Sequence, residues 1–133
     1  MLTNLKFHHI GIATPDIEAT ASMYINAGYE CSEMVFDPLQ NINLCFSTKD
    51  GMPTIELLAP IDDKSPVVKI IEKNGTTPYH ICYISENIEQ DIADLRALKY
   101  MVVSKPKAAC AMQNKRVAFL FHKNVGLIEL VEA

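Results

Sequence analysis

The feature that most constrains this chain is an internal repeat with a shift of 71 residues. Residues 7–18 return as residues 78–89, so that His9 falls on His80. The register continues through the following stretch, which has helical spacing in both copies. Self-similarity over such a span indicates that one supersecondary unit is used twice.

A second echo, at a shift of 73 residues, relates residues 55–58 to residues 128–131 and places Glu56 on Glu129. Each copy of the repeat therefore contains one histidine and one glutamate at matched positions. Two imidazoles and two carboxylates are, in kind and number, the protein ligands of a divalent metal site.

The first copy is typical of a βαβββ unit, because one stretch of helical spacing lies among stretches that alternate apolar and polar residues. The helix follows Thr14-Pro15-Asp16, where Thr14 or Asp16 can act as N-cap, and Gly28 ends it. The predicted strands are Leu5 to Ala13, Tyr29 to Phe36, Ile42 to Ser47 and Thr54 to Ala59.

The second copy follows the same plan after a joint that contains a short helix, Val67 to Lys73, with Ser65 as its cap. Its predicted helix is Ile88 to Leu98, and a loop contains Pro106. Its predicted strands are Tyr79 to Ile84, Tyr100 to Ser104, Arg116 to Phe121 and Leu127 to Glu132.

Domain organisation follows from size, because about 60 residues are marginal for a separate core. The sequence predicts one domain over residues 1–133, with a first module at 1–60, a joint at 61–77 and a second module at 78–133.

The composition excludes several classes of partner. The net charge is −4 and there is no run of Lys or Arg, so nucleic acid and anionic membranes are not expected to bind. The apolar runs are too short to span a bilayer. The four cysteines form no Cys-x-x-Cys pair, and residues 1–6 contain no signal-like apolar region. We therefore expect reduced thiols and a cytoplasmic location.

Strand alternation suggests how the four repeated residues could meet. Glu56 lies between Ile55 and Leu57, so it points away from the face that those aliphatic residues pack against. Glu129 has the same setting. If the sheets curve, the opposite face forms a cleft in which four side chains converge on one ion. Taken singly, each glutamate is better explained as a solvent-facing strand residue and each histidine as a packed core residue.

The motifs resemble the vicinal-oxygen-chelate superfamily, which has the glyoxalase/bleomycin resistance/dioxygenase fold. The resemblance covers essentially the whole chain, and the motifs that carry it are His8-His9-Ile10-Gly11-Ile12-Ala13, Ile55-Glu56-Leu57-Leu58-Ala59-Pro60, Ser65-Pro66, Tyr79-His80-Ile81, Arg116-Val117-Ala118-Phe119 and Gly126-Leu127-Ile128-Glu129-Leu130. It implies an α+β fold in which two βαβββ modules form one open, barrel-like cleft. It also implies one divalent metal bound by His9, Glu56, His80 and Glu129, with Ni²⁺ or Co²⁺ favoured and Zn²⁺ or Mn²⁺ possible.

Within this superfamily the chain looks most similar to short clostridial-type glyoxalase I proteins. That similarity implies a lactoylglutathione lyase, which moves a proton alpha to a carbonyl of a thiol-conjugated 2-oxo compound through a metal-bound enediolate. Glu129 is then the candidate base, and its first-module counterpart Glu56 is the other candidate.

Three alternatives remain. The first is a methylmalonyl-CoA epimerase-like enzyme, which the Asp63-Lys64-Ser65-Pro66 segment resembles; those enzymes have a non-ligand glutamate assigned as a base at about the position of Asn43. The second is a non-catalytic small-molecule binding protein on the same fold. The third is a relative of extradiol dioxygenases, which a fourth ligand at Glu56 argues against.

The remaining candidates concern the thiol carrier and assembly. Lys107, Lys115 and Arg116 could hold a glutathione carboxylate or a CoA phosphate, although a solvated basic loop is the simpler explanation for each. The joint between Glu56 and His80 spans 24 residues, which is long enough for both modules of one chain to complete a site. We therefore expect a homodimer whose site lies within each chain.

Overall fold

The computed structural model describes residues 2–133, which form two compact units. The first unit is residues 9–79, and the second unit combines residues 2–8 with residues 80–133. Both contain strands and helices, which confirms the predicted α+β class. The extent of the domain over residues 1–133 stays a prediction. Among residues 2–133, no helix is both long enough and apolar enough to cross a membrane.

The first unit contains most of β1 and the elements that follow it up to the joint. Their bounds are β1 (Lys6–Ala13), α1 (Ile17–Asn26), β2 (Glu30–Cys31), β3 (Val35–Asp37), β4 (Ile42–Thr48), β5 (Ile55–Pro60) and α2 (Val68–Asn74). The strand order is β2-β4-β5-β1, and β3 also pairs with β4. Helix α1 covers one face of this sheet through Ile17, which packs with Cys45, Ile55 and Leu57.

The second unit repeats the plan with most of β6 (Thr77–Ser85) and with α3 (Ile88–Ala97), β7 (Met101–Ala108), β8 (Arg116–His122) and β9 (Gly126–Glu132). The strand order is β6-β9-β8-β7. Helix α3 packs on one face through Ile88 and Leu95, against Ala118, Leu120 and Leu130. Full burial of each such aliphatic side chain stabilises the fold by about 1.5–3 kcal/mol.

The same cap position is used in both copies of the repeat. Asp16 accepts a hydrogen bond from Ala19 N at 3.1 Å, and Asn87 accepts one from Gln90 N at 3.2 Å. The two caps are related by the 71-residue shift. Of the two predicted caps for α1, Asp16 is therefore the one used, and it starts the helix by satisfying an N–H that has no partner within the helix.

Three predicted elements differ from the structure. The strand predicted over Tyr29 to Phe36 is two short strands, β2 and β3, with a break between them. Helix α2 begins at Val68 and its N-cap is Val67, so Ser65 does not cap it, and the Ser65 Oγ is buried. Strand β7 continues through Pro106 instead of ending at Ser104. It lies at the end of the strand order, where a proline lacking an N–H is tolerated.

Candidate functional site

The first unit contains a buried histidine–glutamate pair. Strands β1 and β5 run parallel, and Gly11 is the register partner of Glu56. His9 precedes Gly11 by two residues, so its side chain is on the same face as Glu56. His9 Nε2 lies 3.4 Å from Glu56 Oε1, with side-chain exposures of 0% and 6%. This face is the one opposite α1, because Ile55 and Leu57 pack towards the helix.

The second unit contains the equivalent pair in the same register. Strands β6 and β9 run parallel, and Cys82 is the register partner of Glu129. His80 precedes Cys82 by two residues and lies on the same face. His80 Nε2 is 3.1 Å from Glu129 Oε1, and both side chains are 2% exposed. The repeat seen in the sequence is thus a repeat of strand register, and each unit presents one pair of metal-type ligands.

A phenylalanine accompanies each pair, and the sequence analysis did not single out either ring. Phe46 is the register partner of Glu56 and its ring meets the His9 ring edge-on at 5.5 Å. Phe119 is the register partner of Glu129 and meets the His80 ring at 5.3 Å. The signal was present, since Phe46 and Phe119 are also related by the 73-residue shift. Edge-on packing of this kind restricts the orientation of the imidazole.

Chemically, each pair can act as metal ligands or as a proton-transfer pair. Imidazole nitrogen and carboxylate oxygen both suit borderline divalent cations. A buried carboxylate is also a suitable general base, because the low-dielectric surroundings strengthen its attraction for a proton. The structure therefore contains, in each unit, the residue types that the sequence predicted for ligation and catalysis.

Cys45 follows Leu44 on β4 and is buried on the α1 side of the sheet, the side opposite the His9–Glu56 pair. Desolvation raises the pKa of the Cys45 thiol to about 11, with smaller contributions from Cys31 and Glu56. A thiol with this pKa is protonated at neutral pH, so Cys45 is a packing residue and not a nucleophile.

The three predicted carrier-binding cations differ in their settings. Arg116 lies beside Glu132 and Glu89, with Nη2 at 3.1 Å from Glu132 Oε2 and 2.7 Å from Glu89 Oε1. The guanidinium hydrogen bonds lower the pKa of both carboxyls. Lys115 is exposed in the β7–β8 connection, and Lys107 is half-buried on β7.

Arg116 and Lys107 lie on opposite faces of the sheet. Arg116 is three residues from Phe119 on β8, so the two side chains are on opposite faces and Arg116 is on the α3 side. Lys107 is the register partner of Val117, which is two residues from Phe119, so Lys107 shares the face of His80 and Glu129.

Asn43 does not lie on the face of the His9–Glu56 pair. Its register partners are Phe36 and Ala59, and Ala59 belongs to the cluster that packs under α1. Asn43 is therefore on the face opposite Glu56. The absence of a carboxylate at this position says nothing about which bases the site face offers.

Comparison with known proteins decides the family. The model of the Glyoxalase/Bleomycin resistance protein/Dioxygenase superfamily matches residues 8–119. The chain belongs to this superfamily. The resemblance inferred from the motifs is confirmed, and so is the superfamily fold.

Several curated relatives of this chain are named as epimerases. Human mitochondrial methylmalonyl-CoA epimerase is 33% identical over 132 residues, which cover 96% of this chain and 74% of the relative. Ethylmalonyl-CoA/methylmalonyl-CoA epimerase of Cereibacter sphaeroides is 32% identical and covers 94% of this chain and 96% of the relative. Among solved structures, a Streptomyces coelicolor methylmalonyl-CoA epimerase variant in complex with 2-nitronate-propionyl-CoA is similar, with a TM-score of 0.83, 29% identity and coverages of 98% and 96%.

These superfamily relatives overturn the glyoxalase I interpretation. These three proteins match along nearly the whole chain and are named as epimerases of acyl-CoA thioesters, not as enzymes of glutathione conjugates. The lactoylglutathione lyase prediction is therefore wrong. Its error has a physical source: the ligand-bearing strands are what the chain shares with the wider superfamily, and they do not encode the thiol carrier.

Proposed function

We propose that this protein is a metal-dependent isomerase that epimerises a methylmalonyl-CoA-type acyl-CoA at the carbon between its two carbonyl groups. The observation that carries the proposal is similarity to methylmalonyl-CoA epimerases over 96% of the chain. The buried histidine–glutamate pair in each unit supports it, because inversion at such a carbon needs a polarised carbonyl and a carboxylate base.

One divalent ion bound by His9, Glu56, His80 and Glu129 is part of this proposal. The donor set fits, since it consists of two imidazole nitrogens and two carboxylates whose side chains are at most 6% exposed. Ni²⁺ or Co²⁺ is our first expectation, with Zn²⁺ or Mn²⁺ as the next. When bound, such an ion acts as a Lewis acid on the thioester carbonyl and acidifies the neighbouring C–H bond.

The protein residues then move the proton. Glu129 is the proposed base: its carboxylate takes the proton as the α-carbon–hydrogen bond breaks, and the electron pair is delocalised onto the thioester oxygen. Glu56 is its counterpart in the other module and, as a carboxylic acid, is the proposed donor of a proton to the opposite side of the same carbon. Exchange with water then returns Glu129 to the carboxylate and Glu56 to the acid. Phe46 and Phe119 restrict the two imidazoles beside them, which keeps each histidine aligned with its glutamate.

The remaining predictions attach to this function. Coenzyme A replaces glutathione as the expected thiol carrier, and Lys107, Lys115 and Arg116 stay candidates for contact with it. A homodimer with a site within each chain, and a cytoplasmic location, stay predictions.

The deciding experiment is an isotope-exchange assay on one epimer of methylmalonyl-CoA in D₂O. We expect metal-loaded protein to incorporate one deuterium at the α-carbon and to produce the other epimer, as followed by mass spectrometry and a stereospecific coupling enzyme. Protein stripped with a chelator should lose both signals and regain them on reloading. The methylglyoxal–glutathione hemithioacetal should not be turned over.

Two other outcomes would change the assignment. Exchange without epimerisation would retain proton abstraction and remove the role of a second carboxylate. Tight binding of methylmalonyl-CoA with neither exchange nor epimerisation would replace the enzyme by a binding protein on the same fold.

A further inference from the structure

The two units are matched in register on the faces that present His9 with Glu56 and His80 with Glu129, but they differ in charge at the position beside Leu44 and Val117. On β4, Leu44 precedes Phe46 by two residues and pairs with Val35 on β3. On β8, Val117 precedes Phe119 by two residues and pairs with Lys107 on β7. The 73-residue shift relates Leu44 to Val117. Where the first unit has the aliphatic Val35, the second unit therefore has a lysine.

Lys107 lies on the face of the His80–Glu129 pair at a distance that a substrate could span. Lys107 pairs with Val117 on β8, and Glu129 pairs with Phe119, two residues away on the same strand. Two strand spacings and two residues along β8 put the Cα atoms of Lys107 and Glu129 about 12 Å apart at normal sheet dimensions. Side chains that stand perpendicular to the sheet keep their charged ends near that separation, and a small acyl group can lie between them. Lys107 is half-buried, so part of its aliphatic stem is covered by the protein.

Two equivalent histidine–glutamate pairs, one in each unit, cannot by themselves orient a substrate whose two ends differ. The acyl group of a methylmalonyl-CoA-type substrate has a thioester on one side of the α-carbon and a free carboxylate on the other. A cation present in one unit and replaced by valine in the other supplies the missing asymmetry. Arg116 does not supply it, because its side chain lies on the α3 side of β8, beside Glu89 and Glu132.

We propose that Lys107 binds the free carboxylate of the acyl group and so selects 2-carboxyacyl thioesters over neutral acyl thioesters. This inference rests on the proposed function and specifies its substrate class. It differs from the sequence-based expectation, in which Lys107 held the phosphate of the carrier. Methylmalonyl-CoA carries both the acyl carboxylate and the phosphates of the carrier. Propionyl-CoA retains every phosphate and lacks only the carboxylate, so a comparison of the two ligands shows which anion Lys107 binds.

The test is calorimetric binding of methylmalonyl-CoA and propionyl-CoA to metal-loaded wild-type protein, Lys107→Met, Lys107→Arg and the control Lys123→Met. Lys123 is an exposed lysine in the β8–β9 turn, so its variant makes the same charge change away from the face of Glu129. We expect Lys107→Met to bind methylmalonyl-CoA about 10–100-fold more weakly, the range for a charge-assisted hydrogen bond. Its affinity for propionyl-CoA should stay within twofold, Lys107→Arg should retain most of the discrimination, and Lys123→Met should resemble wild type.

Each other result contradicts the inference in a distinct way. Equal losses for both ligands in Lys107→Met would assign this lysine to the phosphates or pantetheine of the carrier. No loss for either ligand would remove it from the site. If the proposed function is wrong and Lys107 still binds the carboxylate, wild-type protein would show no epimerisation but would still discriminate between methylmalonyl-CoA and propionyl-CoA. Wild-type protein that binds neither acyl-CoA would overturn both.

Discussion

His80 Nε2 lies 3.1 Å from Glu129 Oε1, and both side chains are almost fully buried. An imidazole and a carboxylate this close together, without solvent around them, form a site that favours a shared proton or a bound cation. The pair arises directly from parallel pairing of β6 with β9, in which Cys82 is the register partner of Glu129. Its energetic consequence is that binding of a divalent cation and stability of the second unit should be linked.

The first prediction follows from that linkage. Addition of the bound metal at about 100 times its dissociation constant should stabilise the protein by about 2.7 kcal/mol. For a chain of this size that corresponds to a rise in Tm of about 10 °C. His80→Ala should abolish the rise and the near-stoichiometric metal content, which can be measured by differential scanning calorimetry and elemental analysis.

A matched control for this prediction is His122→Ala. His122 is in the same unit, packs beside Tyr100 and lies outside the proposed ligand set. Its variant should keep the metal and the metal-dependent rise in Tm. Stoichiometric metal in His80→Ala would count decisively against the ligand assignment.

The second prediction concerns Phe119, whose ring restrains His80. An aromatic contact of this kind contributes about 0.5–1.5 kcal/mol, so Phe119→Ala should weaken metal binding by roughly 2–10-fold through a less ordered imidazole. Phe121→Ala is the control, since Phe121 is on the same face of β8 but is 40% exposed. Competition with a chromogenic chelator measures the metal affinity of both variants. Equal metal affinities in Phe119→Ala and Phe121→Ala would show that the Phe119 ring does not position His80.

Much of this fold and of the candidate site was predictable from the sequence, because the repeat fixes both strand register and residue chemistry. His9 lies beside Glu56 and His80 beside Glu129, and these four residues are the ones that the repeat singled out. Their common role in holding one metal stays a prediction.

Features that depend on sheet position were not predictable from local sequence. Pro106 indicates a loop, yet β7 continues through it because an edge strand does not need every N–H. The face on which Asn43 lies depends on a strand register that residue spacing alone did not reveal. Glutathione was inferred from the ligand-bearing strands, which do not encode the thiol carrier. The Asp63-Lys64-Ser65-Pro66 segment resembled epimerases, and the relatives that match along the chain favour that alternative.

The third prediction distinguishes the thiols by exposure. Cys110 is exposed, whereas Cys45 is buried and has a pKa of about 11. At pH 8, a disulfide reagent should modify Cys110 within seconds to minutes, and Cys45 should react only when the protein is unfolded. Cys110→Ser should remove the fast phase. Rapid modification of Cys45 in folded Cys110→Ser protein would contradict the burial of that thiol.

The fourth prediction concerns the ion pairs of Arg116 and has a defined dependence on pH. Arg116 lowers the pKa of Glu132 and Glu89 below their ordinary value of 4.5. A carboxyl whose pKa is lowered in the folded state contributes stability above its unfolded pKa and loses it as the pH falls through the folded pKa. Arg116→Met should therefore lower Tm at pH 7, and the difference from wild type should disappear as the pH is lowered through and below 4.5.

The charges of this cluster are partly exposed, so the loss at pH 7 should be small and should shrink further in high salt. Lys123→Met, which removes an exposed lysine outside the cluster, should show no such pH-dependent difference. The same Arg116→Met protein also tests the sequence-based carrier role. Because the guanidinium lies on the α3 face in these ion pairs, we expect Arg116→Met to bind propionyl-CoA with unchanged affinity while it shows the pH-dependent loss of Tm. If the guanidinium instead holds a CoA phosphate, Arg116→Met should bind propionyl-CoA about tenfold more weakly.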